Sequence, residues 1–136
     1  LTFEELQALF DSKNIELKDL KWTDWNQASY YGRMFATTGG VAAAVEQMLK
    51  ELKVDDFEYN PIVCDGIDKC KMALLKASKG ILPNNFIEGM ACVGGCIGGS
   101  GNLVRYEDAP EEMEDHIEEA TATEILPNVK KNINIF

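Results

Sequence analysis

Apolar positions along this chain fall into helical periods at three places and into short strand-like runs at two. Phe3, Leu6, Leu9 and Phe10 recur at helical spacing behind Thr2, and Glu5 stands three residues after that threonine. This is the form of a capping box, so a first helix is predicted to start at the first residues. Residues 40–52 place Val41, Ala44, Val45, Met48 and Leu52 on one face, behind the pair Gly39-Gly40. Two glycines at a helix N-terminus leave backbone N–H groups open to an anion or cofactor, although close packing explains them equally well. Residues 66–78 form the third period, with Ile67, Cys70, Leu74 and Leu75 expected inward and Gly80 as the stop.

The short runs are residues 57–64, broken or bounded by Pro61, and residues 86–90, and both read as strands. Strand, helix, strand of this length is a βαβ unit, parallel by strong precedent, with loops at the carboxyl ends of its strands. Cys64 and Cys92 are therefore expected at the same edge of the sheet. Residues 22–31 are polar and aromatic with poor periodicity, which predicts a loop whose Trp22 and Trp25 cover an edge of the core. From Ala109 the chain turns acidic, with Asp108 as a cap and Pro127 as a stop. That predicts a last helix ending near Thr123, and a tail from Asn128 that either docks as an arm or hangs loose. The pattern is α/β: a small, mostly parallel sheet built on the βαβ unit and flanked by helices.

With 136 residues and no internal repeat, one domain is expected. Thirteen Lys and Arg against 23 Asp and Glu give a net charge of -10, which argues against nucleic acid or an anionic membrane and favours a basic or redox partner. No apolar run approaches the roughly 20 residues of a membrane span. Without a signal-peptide pattern, Cys64, Cys70, Cys92 and Cys96 are expected as reduced thiols or metal ligands, in a cytoplasmic protein. The chain opens Leu1-Thr2 without a methionine and so reads as a segment of something longer.

Chemistry concentrates in residues 88–101, where glycines crowd around Cys92 and Cys96. Soft thiolates suit iron–sulfur clusters or zinc, and glycines let the backbone approach a bulky inorganic group and aim N–H donors at its sulfurs. A 4Fe-4S cubane takes four thiolates, and this turn supplies two. Cys64 and Cys70 could in principle complete the set, but Cys70 lies inside the predicted helix, where a buried cysteine serves as a small hydrophobe. The Cys64-to-Cys70 spacing fits zinc poorly, and a Cys92–Cys96 disulfide is the remaining alternative. His116, among Glu114, Asp115, Glu118 and Glu119, is expected on a solvated helix face. Glu88 could carry protons or serve as a hydrogen-bonded structural carboxylate. No Ser-His-Asp set, Cys-His pair or carboxylate dyad emerges from spacing.

Glu88-x-Met90-x-Cys92-x-x-Gly95-Cys96-x-x-Gly99-x-Gly101 resembles the third cysteine signature of the iron-only (FeFe) hydrogenase catalytic domain. Leu1-Thr-Phe-Glu-Glu-Leu6 resembles the helix after the family's second signature, and Met34-Phe-Ala-Thr-Thr-Gly-Gly-Val41 resembles its Phe-Gly-x-Thr-Gly-Gly-Val segment. The resemblance implies the C-terminal lobe of a two-lobed catalytic domain, with residues 1–105 as lobe core and 106–136 as C-terminal helix and tail. It implies an active site in which a 4Fe-4S cubane is joined through a cysteine sulfur to a diiron unit with carbonyl, cyanide and dithiolate ligands, interconverting protons, electrons and dihydrogen. Cys92 matches a cubane ligand and Cys96 the bridging one; Met90, Phe35, Ala36 and Val41 match the lining of the diiron pocket. Ala36 stands where the family usually has glycine, and Ser100-Gly-Asn102 replaces the usual Gly-Gly-Gln-Pro.

The family's other two cubane cysteines, its proton-relay cysteine and the lysine that anchors a cyanide belong to two earlier signatures outside these 136 residues. The resemblance thus implies a ferredoxin-linked parent hydrogenase whose N-terminal lobe completes the site. Alone, the chain is expected to bind no complete cluster and to be inactive, and its uncovered lobe face could drive a homodimer. The rival reading is a non-catalytic iron–sulfur assembly, electron-transfer or sensor relative that keeps the cubane signature alone. A glycine-rich anion-binding fold with incidental cysteines is the third.

Overall fold

The capping box forms as the sequence predicts. The Thr2 hydroxyl accepts the Glu5 N–H at 3.2 Å while the Glu5 carboxylate accepts the Thr2 N–H at 2.9 Å, opening α1 (Phe3–Ser12). The computed structural model describes residues 1–21, 27–103 and 109–132. After α1 come α2 (Tyr30–Met34), α3 (Gly40–Glu51), β1 (Pro61–Asp65), α4 (Ile67–Ser78), β2 (Phe86–Met90), α5 (Ala109–Glu118) and α6 (Ile125–Asn132), with 3-10 turns at Leu17–Asp19 and Gly95–Gly98. The fold is mixed α/β, a two-stranded parallel sheet flanked by helices.

β1 and β2 pair in parallel, Pro61 opposite Phe86 and Asp65 opposite Met90. Strand alternation directs Val63, Asp65 and Glu88 to one face and Cys64 and Gly89 to the other. α4 covers the second face, burying Cys64 and Ala73, and the Cys70 sulfur fits where Gly89 lacks a side chain. On the first face the buried Glu88 carboxylate accepts the N–H groups of Gly39 at 2.8 Å and Ala42 at 2.7 Å. The anion seated on the Gly-Gly helix start is therefore the protein's own side chain, and it ties α3 to β2. Gly40 is required by contact with α2: a Cβ there would stand 1.8 Å from the Met34 carbonyl oxygen.

Several expectations are corrected. The strand expected over 57–64 starts only at Pro61, which has no N–H for the ladder and so occupies its first position. The segment before it is held by side chains instead, with Asn60 N–H on Asn85 Oδ1 at 2.9 Å and Asn85 Nδ2 on the Glu58 carbonyl at 2.7 Å. α3 buries Gly40, Ala42 and Ala44 and leaves Leu52 exposed, because the Glu88 and Tyr59 hydrogen bonds draw its backbone against the sheet. On α4, Ile67, Leu74 and Leu75 are exposed, since a two-stranded sheet gives a helix only a narrow seat.

Tyr30 and Tyr31, expected in a loop, open α2 behind Ser29, whose hydroxyl accepts the Gly32 N–H at 3.1 Å. Trp22 and Trp25, the Asp108 cap and the division near residue 105 lie outside the described residues. The helix expected to end near Thr123 ends at Glu118. Pro127 stops nothing; it stands in the first turn of α6, where a missing N–H is not needed. The tail from Asn128 to Asn132 is therefore helical and docked, with both asparagine amides donating to the Gln27 carbonyl. Glu51, at the end of α3, accepts the N–H groups of Ile125 at 2.7 Å and Leu126 at 2.8 Å. Burial pushes its pKa up, but these bonds and one from Gln47 together outweigh that and hold the carboxyl below its usual range.

Candidate functional site

β2 delivers the chain to the cysteine turn, and three other segments hold that turn. Gly94 and Gly95 follow one another in the left-handed region, at φ 83° and 81°. Gly95 is buried against the loop between α2 and α3; a Cβ on it would meet the Ala36 carbonyl oxygen at 2.7 Å and the Thr38 nitrogen at 2.9 Å. Beside it the Cys96 N–H donates to that same Ala36 carbonyl at 2.8 Å. From the end of β1, Asp65 Oδ1 accepts the Gly94 N–H at 2.7 Å and the Thr38 hydroxyl at 3.0 Å. Asn102 closes the far side, its Nδ2 reaching the carbonyls of Cys96, Ile97 and Gly99 at 2.9, 2.8 and 3.2 Å. Gly101 then backs onto Thr2 at the start of α1.

On this frame the thiols of Cys92 and Cys96 are free and exposed, and the Cys92 sulfur lies beside Gly99. Cys64 and Cys70 are placed differently. Cys64 is 2 % exposed, and burial, followed by the neighbouring Cys70, pushes its thiol pKa up against a smaller opposing pull from Lys69. The Cys70 thiol lies at hydrogen-bond range of the carbonyls of Cys64, at 3.6 Å, and Met90, at 3.5 Å. Among the described residues no three His, Cys, Asp or Glu side chains gather at one point. All four cysteines are free in this structure. Two accessible thiols on a glycine-rich turn fit two of the four thiolate positions of an iron–sulfur cubane.

Ala36 is half-buried and bonded to Cys96 through its carbonyl; Met90 is half-buried at the end of β2; Val41 is half-buried in the first turn of α3; Phe35 is 49 % exposed. Behind the turn lies a cleft of ≈ 400 Å³ lined by Met34, Thr38, Asp65, Gly94, Met113 and Ile117, which neither Cys92 nor Cys96 borders. His116 is exposed, as expected, yet its carbonyl receives the guanidinium of the buried Arg33, whose Nη1 also lies 3.4 Å from His116 Nδ1. Of the two readings of Glu88 the structural one describes its geometry: each carboxylate oxygen accepts a backbone N–H.

Asp65, Thr38 and Asn102, which hold the turn, were not legible as site residues. The available signal was Asp65-Gly66 at the carboxyl end of a parallel strand, where open α/β sheets place their ligand-facing groups.

The three stretches that carry the family resemblance meet at one place: Thr2 against Gly101, and Ala36 against Cys96. A family model described as the iron only hydrogenase large subunit, C-terminal domain, matches residues 1–100. Among curated proteins none matches the chain. Among the described residues no helix is long and apolar enough to cross a membrane. A match over that length, with its conspicuous cysteines exposed on one glycine-built turn, means that the chain belongs to the family of C-terminal domains of iron-only hydrogenases, and with it to iron–sulfur oxidoreductases.

Proposed function

We propose that this chain is the C-terminal lobe of an FeFe-hydrogenase and contributes half of the protein ligands of its active-site cluster. The observation that carries this is the exposed pair Cys92 and Cys96 on a turn fixed to the Ala36 loop by the Cys96 N–H bond. When bound, the 4Fe-4S and diiron group supplies the interconversion of protons, electrons and dihydrogen. The protein's part is to hold and shelter it. Cys92 would take one cubane position and Cys96 the bridging one, while the left-handed Gly94 and Gly95 let the turn pack against the loop that carries Ala36. Met90, Phe35, Ala36 and Val41 form the apolar wall that limits water at the diiron side. The N-terminal lobe of the same parent supplies the other two thiolates and the proton-relay and cyanide-anchoring residues, and a ferredoxin-type protein delivers electrons. We place the parent in an anaerobic cytoplasm.

Ala36 in the usual glycine position supports a second reading, a cubane-only electron-transfer or sensor relative, because the chain departs there from the family's pattern. Hydrogen turnover by the full-length protein separates the two. For residues 1–136 alone, anaerobic reconstitution with iron and sulfide is expected to give no complete cubane and no hydrogen evolution. Uptake of a cubane that is lost on Cys64→Ala would establish a self-contained cluster instead.

A further inference from the structure

The carboxylate of Asp65 sits at the meeting point of three segments. Its Oδ1 joins the end of β1 to the cysteine turn through the Gly94 N–H at 2.7 Å and to the α2–α3 loop through the Thr38 hydroxyl at 3.0 Å. The turn needs such a tie. Gly94 and Gly95 are both left-handed and have no side chains to hold them, so backbone freedom is greatest midway between Cys92 and Cys96. One side of the turn is fastened by the Cys96 N–H on Ala36 and by the close fit of Gly95 against Ala36 and Thr38. The other side, leading back to Cys92, is fastened at Gly94 by Asp65. One oxygen serving both donors locks the turn to the loop as well as to the sheet.

Resting on the proposed ligand role of Cys92 and Cys96, we infer that Asp65 is a positioning residue for that pair: it fixes the separation and direction of the two thiols before any metal arrives. Thr38 is its relay to the loop that carries Ala36. The role is geometric, so an asparagine, whose amide oxygen accepts the same two bonds, replaces Asp65 with little loss.

The test uses Cd²⁺ as a soft probe of the reduced chain under anaerobic conditions, read by the ultraviolet thiolate-to-cadmium charge-transfer band. Cys92→Ser and Cys96→Ser are each expected to remove the band, and Cys64→Ala to leave it. Asp65→Ala is expected to weaken Cd²⁺ binding by about tenfold or more, the range for groups that orient metal ligands, with Asp65→Asn restoring it to within about threefold. Circular dichroism checks the fold of each variant; should Asp65→Ala unfold, Thr38→Val, expected to weaken binding about tenfold, decides the matter. A band that survives both Cys92→Ser and Cys96→Ser overturns the ligand reading and the inference with it. A band that depends on both cysteines yet is as tight in folded Asp65→Ala, or in Thr38→Val, as in the parent overturns the positioning role alone.

Discussion

The chain holds two pairs of cysteines near the same end of one small sheet, and they have opposite fates. Cys64 and Cys70 lie on the face that α4 covers; one is buried in a strand and the other turns its thiol to backbone carbonyls. Cys92 and Cys96 lie past the end of β2, on a turn outside the ladder, with both thiols exposed. Residue type is the same, so the backbone makes the difference. A regular strand or helix hands a thiol to the core, where it acts as a small apolar group. A left-handed glycine pair lifts the thiols clear of the core while the neighbouring loops hold their backbone.

The most damaging way to break this arrangement is to put a side chain on Gly95. Gly95→Ala places a methyl within 2.7 Å of the Ala36 carbonyl at a φ of 81°. It is expected to destabilise the chain by about 3 kcal/mol or more, visible as a lower urea midpoint, and to blunt the Cd²⁺ band even in the folded fraction. Glu88→Ala comes next. Removing the buried acceptor of two N–H groups should cost about 2–3 kcal/mol while leaving Cys92 and Cys96 as reactive toward a thiol reagent as before. Unchanged stability in that variant would mean that α3 is held by something other than its glycine start.

Three smaller effects sharpen the contrast from the buried side. Cys64→Ala should destabilise by about 1 kcal/mol, through the small void it leaves, and should remove no ligand. In the parent, a disulfide-exchange reagent is expected to modify Cys92 and Cys96 well before Cys64; equal rates would contradict the burial assigned to Cys64. The smallest effect is a pH dependence. The folded-state pKa of Cys64 lies above its ordinary 9.0, so its contribution is complete below pH 9.0 and is lost as the pH rises through the folded value. Chemical denaturation from neutral to alkaline pH should therefore show a loss of stability that Cys64→Ala lacks.

What could be read in the sequence was whatever depends on neighbours in the chain. Thr2 and Glu5, three positions apart, cap α1 between them; β2 runs into its glycine turn without a break, and Cys92 and Cys96 announce themselves by spacing. What could not be read depends on partners far away. Asp65 becomes a site residue only because the loop bearing Thr38 and the turn bearing Gly94 arrive beside it. Pro127 looked like a stop because nothing local shows that Glu51 caps the helix it opens. Ile67, Leu74 and Leu75 look inward by period, yet how much of α4 is buried depends on the sheet's width, which no single helix encodes.

The central claim is that Cys92 and Cys96, and neither Cys64 nor Cys70, hold the cluster. Its most direct test is the iron content and low-temperature electron paramagnetic resonance spectrum of the full-length protein, prepared anaerobically with each cysteine replaced in turn. The account predicts that Cys92→Ser and Cys96→Ser each lose or alter the active-site cluster signal, while Cys64→Ala and Cys70→Ala retain it with unchanged iron. An active-site signal that survives Cys96→Ser, or that disappears on Cys64→Ala, would contradict it.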